Sequence, residues 1–377
     1  MKKIAIIGGG ISGLYFANLL EKNKNYSYKI FEKKSRFELD DGYGIQLSVN
    51  SIKLLNEIGF SDIESQKVYF PKKVIFYDAK SFNKICDIDI SKFNYEKNRY
   101  TTLKRSTLLN FLLKNIPKEK INYNSELSDV SFENKINLKF LDNNYETFDY
   151  LILSDGVFSK SKSIIIDKDS RPKYLNSIAL RGSLKNFENN DISLYLGPNF
   201  HFVIYPVNQN NEFNFISIIR KNLKKEQIND QNYFQNSDFL ETLMNEILSK
   251  TPVKFKDKIE NLKSFPIFRS NGLSKPSKKN IFLVGDALYA FPPSFAQGAS
   301  QSIASSKDAY DEIENNTDNY YQKRNEKIKA VNSRSMLNYF AFHLSNPFTI
   351  FLRNIFLKYL SKNKKFLENY LGKIYKN

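Results

Sequence analysis

The chain has 377 residues, 41% hydrophobic and 26% charged, with one cysteine and no tryptophan. That length carries two or three units with sizeable cores, while a lone cysteine excludes a disulfide framework and suits a reducing, cytoplasmic setting. The net charge of +17 invites a nucleic-acid partner, but residues 321–377 hold 12 Lys/Arg against Glu326 and Glu368, so +10 of it sits in the tail. With no zinc-finger spacing, RNA-binding aromatic motif or internal repeat, no nucleic-acid partner is expected.

The opening MKKIAIIGGG has too short an apolar run for a signal-peptide core, and no stretch is long and apolar enough for a spanning helix. KKIAII reads as a strand that runs directly into Gly8-x-Gly10-x-x-Gly13, followed by LYFANLL at helical spacing. In that order Gly8 permits a tight turn and Gly10 lets a pyrophosphate approach the backbone. Gly13 lets the helix, whose N-terminus then faces the phosphates, pack closely on the strand. A second strand, YKIFEK, carries Glu32, placed to accept hydrogen bonds from ribose hydroxyls. A dinucleotide site is expected, and the triplet alone does not distinguish FAD from NAD.

Further along, DDGYG (40–44) is a turn-forming loop, and SVNSIKLLNEIGF reads as a helix with Ser48 or Asn50 at its cap and Gly59 at its end. YTTLKRSTLLNFLLKNI (100–116) is predicted as one helix in which Arg105 precedes a leucine stripe. Short strands and turns follow to Asp155-Gly156. Between 173 and 265 the strand-like NSIALRGSL, ISLYLG, HFVIYPV and FNFISIIR suggest an antiparallel sheet. IFLVG (281–285) is predicted as a buried parallel strand ending at Asp286, before Pro292, Pro293 and a helix opened by Gly298-Ala299.

These pieces together resemble the FAD-dependent aromatic hydroxylases, the para-hydroxybenzoate, salicylate and ubiquinone-pathway group. GGGISG with Glu32 is similar to their ADP-binding fingerprint, and GYGIQLSVNSIKLLNEIG to their glycine loop and helix. SDGVFSKSK resembles DGxxSxxR with Lys162 for arginine, and GDALYAFPPSFAQGASQSI resembles GDAAHxxxPxxGQGxN. Tyr289, Ala296 and Ser300 depart from that last motif. The resemblance implies an α/β chain: a Rossmann-like FAD-binding domain (1–68, 99–172 and 266–315), an inserted antiparallel-sheet substrate domain (69–98 and 173–265) and a basic C-terminal helical region (316–377). It also implies FAD held by Gly8, Gly10, Ser12, Gly13, Glu32, Arg105, Leu127, Asp155, Asp286, Pro293, Gly298 and Ala299.

The implied activity is hydroxylation of a small phenolic or quinol-type substrate with NAD(P)H and O2, through a flavin C4a-hydroperoxide, without a separate nicotinamide domain. A related reductase or dehydrogenase that does not activate oxygen is the alternative. A halogenase of the tryptophan type is excluded by the absence of tryptophan. No metal is expected, since the chain has only His201 and His343 as histidines. His201 alternates with Val203 and Tyr205 on one strand face, making it a candidate base, with packing in the core as its other reading. Tyr205, Tyr289 and Arg181 are candidate polar groups of the pocket, and Cys86 a small buried hydrophobe. In the tail, Phe348, Leu352, Ile355, Phe356 and Tyr359 share a helical stripe. It packs in the core, or, with the neighbouring lysines, makes a peripheral membrane contact.

Overall fold

The computed structural model describes residues 1–37, 43–166, 171–185, 187–251 and 259–376; residues 40–42 of the DDGYG loop lie outside them. Its first layer is a five-stranded parallel sheet in the order Ile281–Leu283, Tyr150–Leu153, Lys2–Ile7, Tyr26–Phe31, Ile121–Asn122. Ile4, Ala5 and Ile6 have no exposed surface. Such unbroken apolar runs belong to strands covered on both faces. Helix Ile11–Glu21 buries Leu14, Tyr15, Phe16 and Ala17 in the same core.

The second layer is a seven-stranded sheet. Its order is Ile259–Arg269, Lys173–Lys185, Glu212–Arg220, Phe200–Pro206, Ile192–Gly197, Lys73–Asp78, Lys84–Asp89. All neighbours run antiparallel except Ile192–Gly197 with Lys73–Asp78, so the sheet is mixed rather than purely antiparallel. Alternation divides the Phe200–Pro206 strand between two faces. Phe200, Phe202 and Ile204 pack with helix Ser237–Leu248 through Leu243, Met244 and Ile247. His201, Val203 and Tyr205 face the other way, toward a cavity.

A small sheet of Gly44–Leu47, Thr101–Lys104 and Val68–Tyr69 joins the layers. Here Gly44 N–H donates to Asn214 Oδ1 at 2.7 Å, and Thr102 Oγ1 donates to the Pro206 carbonyl at 2.6 Å. The expected helix over 100–116 is therefore corrected. Thr101–Lys104 is a strand pairing with Gly44–Leu47, and the helix runs only from Arg105 to Leu113. The β-branched threonines decide it, because their side chains pack well on a pleated surface.

Helices Gly298–Asn315, Tyr320–Phe342 and Pro347–Leu360 follow, and short helical turns over 364–375 end the described residues. In Pro347–Leu360, Phe348, Ile355, Phe356 and Tyr359 of the expected stripe are exposed, as is Phe351, while Leu352 is half-buried and Arg353 is buried. The helix lies over the edge strand Lys84–Asp89, and Leu352 and Phe356 line the cavity, so core packing accounts for only part of the stripe. No helix among the described residues is long and apolar enough to cross a membrane.

Candidate active site

Strand Lys2–Ile7 ends at Gly8, whose φ of +97° is left-handed and whose added Cβ would lie 2.7 Å from the Ser154 carbonyl oxygen. At Gly13 a Cβ would lie 2.2 Å from the Gly8 carbonyl oxygen, so the helix seats on the strand only through glycine. Gly10 differs. Its backbone is ordinary extended chain (φ −78°, ψ −174°), and nothing lies within 4 Å of its would-be Cβ. That open space fronts the helix N-terminus, where unpaired N–H groups and the dipole favour an anion.

Glu32 borders this cradle. Its Oε2 accepts the Gly9 N–H at 2.9 Å and its Oε1 the Lys34 N–H at 3.0 Å, leaving lone pairs for hydroxyl donors. Ser12 is buried, and its carbonyl accepts from Ser306 Oγ at 3.0 Å, tying the first helix to Gly298–Asn315. Asp155 accepts from Ser159 Oγ at 2.6 Å and caps the next turn through the Ser161 N–H at 3.2 Å. Lys162 is buried there, its ammonium pKa lowered by burial. Leu127 buries its side chain in the core, so only its backbone is offered to a ligand.

On the opposite side, Gly285 (φ +60°) turns the chain so that Asp286 looks into the cavity. Pro292 and Pro293 lead into a turn in which Ala296 adopts a left-handed φ of +50°. Ala296 thus keeps a conformation natural to glycine although the residue has changed, at a cost of about 1–2 kcal/mol. Gly298 then begins its helix with no atom within 4 Å of its would-be Cβ, leaving room at the N-terminus beside Ala299. Ser300 is fully buried and holds this helix to helix Val49–Asn56, capped at Ser48: its Oγ meets Ser48 Oγ at 3.0 Å and Ser51 Oγ at 2.9 Å.

Between Asp286, the proline turn and the seven-stranded sheet lies a cavity of about 770 Å³. Its walls are mainly Ile, Leu, Val and Phe, with Arg181, Tyr205 and Gln46 among the polar groups. The Arg181 guanidinium lies 5.4 Å from the centre of the Tyr43 ring, and its pKa is lowered by burial, with Arg105 adding to the effect. Gln46 accepts the Tyr100 hydroxyl at 2.8 Å. The Tyr205 hydroxyl is pushed upward by burial and stays protonated, with Arg181 and Gln46 acting in the opposite sense. A phosphate cradle therefore leads to a carboxylate, a helix N-terminus and an apolar chamber.

The profile of an NAD(P)-binding Rossmann-like domain matches residues 6–37. A 3-amino-4-hydroxybenzoate 2-monooxygenase, PtmB3, of Streptomyces platensis is 24% identical over 226 residues, 58% of this chain and 56% of that protein. The 6-hydroxynicotinate 3-monooxygenase of Bordetella bronchiseptica is 21% identical over 316 residues, 80% of each chain. The crystal structure of Klebsiella pneumoniae HpxO complexed with FAD and uric acid shares the fold at a TM-score of 0.81 and 15% identity, covering 99% of this chain and 96% of that one. In sequence and fold the chain is similar to FAD-dependent aromatic hydroxylases.

HpxO holds FAD in its crystal structure, and the open spaces at Gly10 and Gly298 are the kind of cradle that a pyrophosphate and flavin ring need. Among the sequence-derived candidates, Tyr205, Arg181, Asp286, Pro293, Gly298, Ala299 and His201 line the cavity. Tyr289 does not; it packs against Phe291 at 4.9 Å in the FAD-side core. Arg105 starts its helix with its N–H donating to the Tyr43 carbonyl at 2.7 Å. Gln46, Tyr100 and His343 were not singled out for the site from sequence. Gln46 carried a readable signal, alternating with Gly44 beside the flavin-loop motif.

Asp286 lies well inside the molecule, yet solvent reaches its carboxyl through the cavity. The enclosure pushes its pKa up to about 6 in the absence of ligand. A carboxyl raised in the folded state holds its proton longer than in the unfolded chain. Apoprotein stability therefore falls as pH rises from about 4 to about 6, then stays level. Asp286→Asn removes that fall, so its apoprotein melts above the wild type at pH 7.5 and close to it at pH 4. A wild-type melting temperature that is flat across this range refutes the assignment. Asp286→Ala is expected to weaken FAD by about 1–3 kcal/mol, read by flavin titration.

Proposed function

We propose that this protein uses NAD(P)H and O2 to hydroxylate an electron-rich aromatic ring. In balance, the ring C–H, O2, NAD(P)H and a proton give the hydroxylated ring, NAD(P)+ and water. The observation that carries this reading is the apolar chamber joined to a dinucleotide cradle through Asp286 and the Gly298 helix N-terminus. Bound FAD supplies the oxygen-activating chemistry. The chain's own work is to bind, orient and exclude water. Gly10 and Glu32 hold the adenosine-diphosphate half, and Asp286 accepts a hydroxyl hydrogen bond. The first N–H groups of Gly298–Asn315 favour negative charge at the edge of the flavin ring.

The rings named for the relatives, 3-amino-4-hydroxybenzoate and 6-hydroxynicotinate, support a substrate carrying hydroxyl or amino groups. Arg181 and Tyr205 are the polar groups suited to orient it near Asp286. The test is a screen of phenols for stimulated NAD(P)H oxidation by FAD-loaded protein, with ¹⁸O2 and mass analysis of the product. Label in the ring supports the proposal; turnover that leaves no label in the product points to a reductase instead.

A peripheral contact with anionic membrane belongs to the same reading. Phe348, Phe351, Phe356 and Tyr359 are exposed on the Pro347–Leu360 helix, and Lys358, Lys362, Lys364 and Lys365 are exposed beside them. Apolar groups toward acyl chains and lysines toward head groups suit such a surface, each lysine adding about 1 kcal/mol. Salt-sensitive co-sedimentation with phosphatidylserine vesicles, lost in Phe351→Ser/Phe356→Ser, is the expected result; no sedimentation at low salt refutes it.

A further inference from the structure

The two histidines lie 142 residues apart in sequence and meet behind the cavity wall that His201 lines, His201 Nδ1 lying 3.3 Å from His343 Nε2. Their geometry fixes where the protons sit. His343 Nδ1 is 2.6 Å from the Tyr339 carbonyl, which can only accept, so Nδ1 carries the hydrogen. Both rings are neutral: burial lowers His343 to about 4 and His201 well below its ordinary value. A neutral His343 with hydrogen on Nδ1 has a bare Nε2, which cannot donate to the Ile218 carbonyl 3.2 Å away. It accepts instead, and the available donor is His201 Nδ1–H. His201 Nε2 is consequently bare, and no described protein group hydrogen-bonds it. An acceptor without a protein donor thus sits on a residue that lines the apolar chamber. A ligand that displaces solvent from it without supplying a donor binds at a cost.

Its position says which part of a ligand. Tyr205, bonded to Gln46 and packed in one cluster with Phe295 of the proline turn that follows Asp286, marks that end of the chamber, and His201 lies four residues back along the same strand face. At about 3.4 Å per residue the separation is roughly 13 Å. Between them the wall is Val203, Ile216 and Ile218. The chamber's 770 Å³ falls in the upper half of the roughly 300–1,000 Å³ typical of sites for drug-sized ligands. A single substituted ring at the Asp286 side does not reach His201.

Resting on the hydroxylase reading, we propose that the substrate is an elongated, largely apolar aromatic. It carries a hydroxyl or N–H donor at the end remote from the ring that reacts, and His201 Nε2 accepts that donor. His201 is then a specificity residue, distant from the reacting carbon, and His343 is the positioning residue that fixes its tautomer.

The test uses FAD-loaded protein and a matched pair of probes, 4,4′-dihydroxystilbene and 4-hydroxy-4′-methoxystilbene, titrated by their perturbation of the bound-flavin absorption spectrum. Binding is read without turnover, so it stands apart from the oxygen-incorporation test of the hydroxylase reading. Wild type is expected to bind the dihydroxy probe about tenfold or more tighter, because the ether oxygen meets a bare acceptor. His201→Phe brings the ratio to about one. His343→Leu, which frees the tautomer, shrinks or inverts it, whereas His343→Gln restores it by accepting the Nδ1 hydrogen through its amide oxygen. A merely structural role for His343 would shift both probes alike. Equal wild-type affinities, an unchanged ratio in His201→Phe, or no binding of either stilbene overturns the proposal.

Discussion

Gly10→Val is expected to yield a folded protein that retains no FAD. Most glycine-loop substitutions confound binding with folding, and this one separates them. Gly10 sits in extended backbone at φ −78° and ψ −174°, which valine adopts without strain, and nothing lies within 4 Å of the new Cβ. The side chain is placed in the space in front of the first helical N–H groups, where the pyrophosphate approaches. Gly13→Val is the contrast. Its Cβ would stand 2.2 Å from the Gly8 carbonyl oxygen and 2.6 Å from Ser154 Oγ, so the helix must leave the strand. Far-ultraviolet circular dichroism and the apoprotein melting curve should match wild type for Gly10→Val and not for Gly13→Val. The flavin absorption band near 450 nm should vanish from both purified proteins. Retention of that band in Gly10→Val would remove Gly10 from the cofactor site.

The parts readable from sequence are those whose chemistry is local. Gly8, Gly10 and Gly13 announce the strand, turn and helix because each has a steric reason within a few residues, and Asp286 follows a strand too apolar to lie anywhere but inside. The 100–116 segment failed for the same reason in reverse. The spacing of Leu108, Leu109 and Leu112 extends backward by pattern, while the pairing of Thr101–Lys104 with Gly44–Leu47 depends on a partner nearly sixty residues away. The Pro347–Leu360 stripe was legible as a helix but not as a surface, since periodicity does not say whether water or protein meets it. The pairing of His201 with His343 left no sequence trace at all. It needs a strand of one layer and the end of helix Tyr320–Phe342 to converge.

Asp308→Ala is expected to be the most destabilising single change outside the glycine loop. Arg324 is 1% exposed, donating to Asp308 Oδ2 at 3.1 Å and to Gln301 Oε1 at 2.8 Å. Gln301 in turn lies 3.4 Å from Gln297, the N-cap of the helix that opens on the cavity. Removing the carboxylate leaves a guanidinium buried without its counter-charge, a loss of about 3–5 kcal/mol. Lys323 and Lys327, the other partners of Asp308, reach solvent and relax; Arg324 does not. The pH dependence follows from the carboxyl. Burial raises its pKa, but Arg324, Lys327 and Lys323 outweigh that and hold it below its ordinary value. A depressed carboxyl contributes stability that is complete above the unfolded value of about 3.9 and is lost as pH falls through the lower folded value. The gap in urea midpoint between wild type and Asp308→Ala should therefore be constant from pH 5 to pH 8 and close only below about pH 4. Asp308→Ala/Arg324→Met replaces both charges with apolar groups and should recover much of the loss, as buried ion pairs exchanged whole for hydrophobic ones often do. A double variant as unstable as Asp308→Ala would show that packing around Arg324, rather than its unpaired charge, sets the cost.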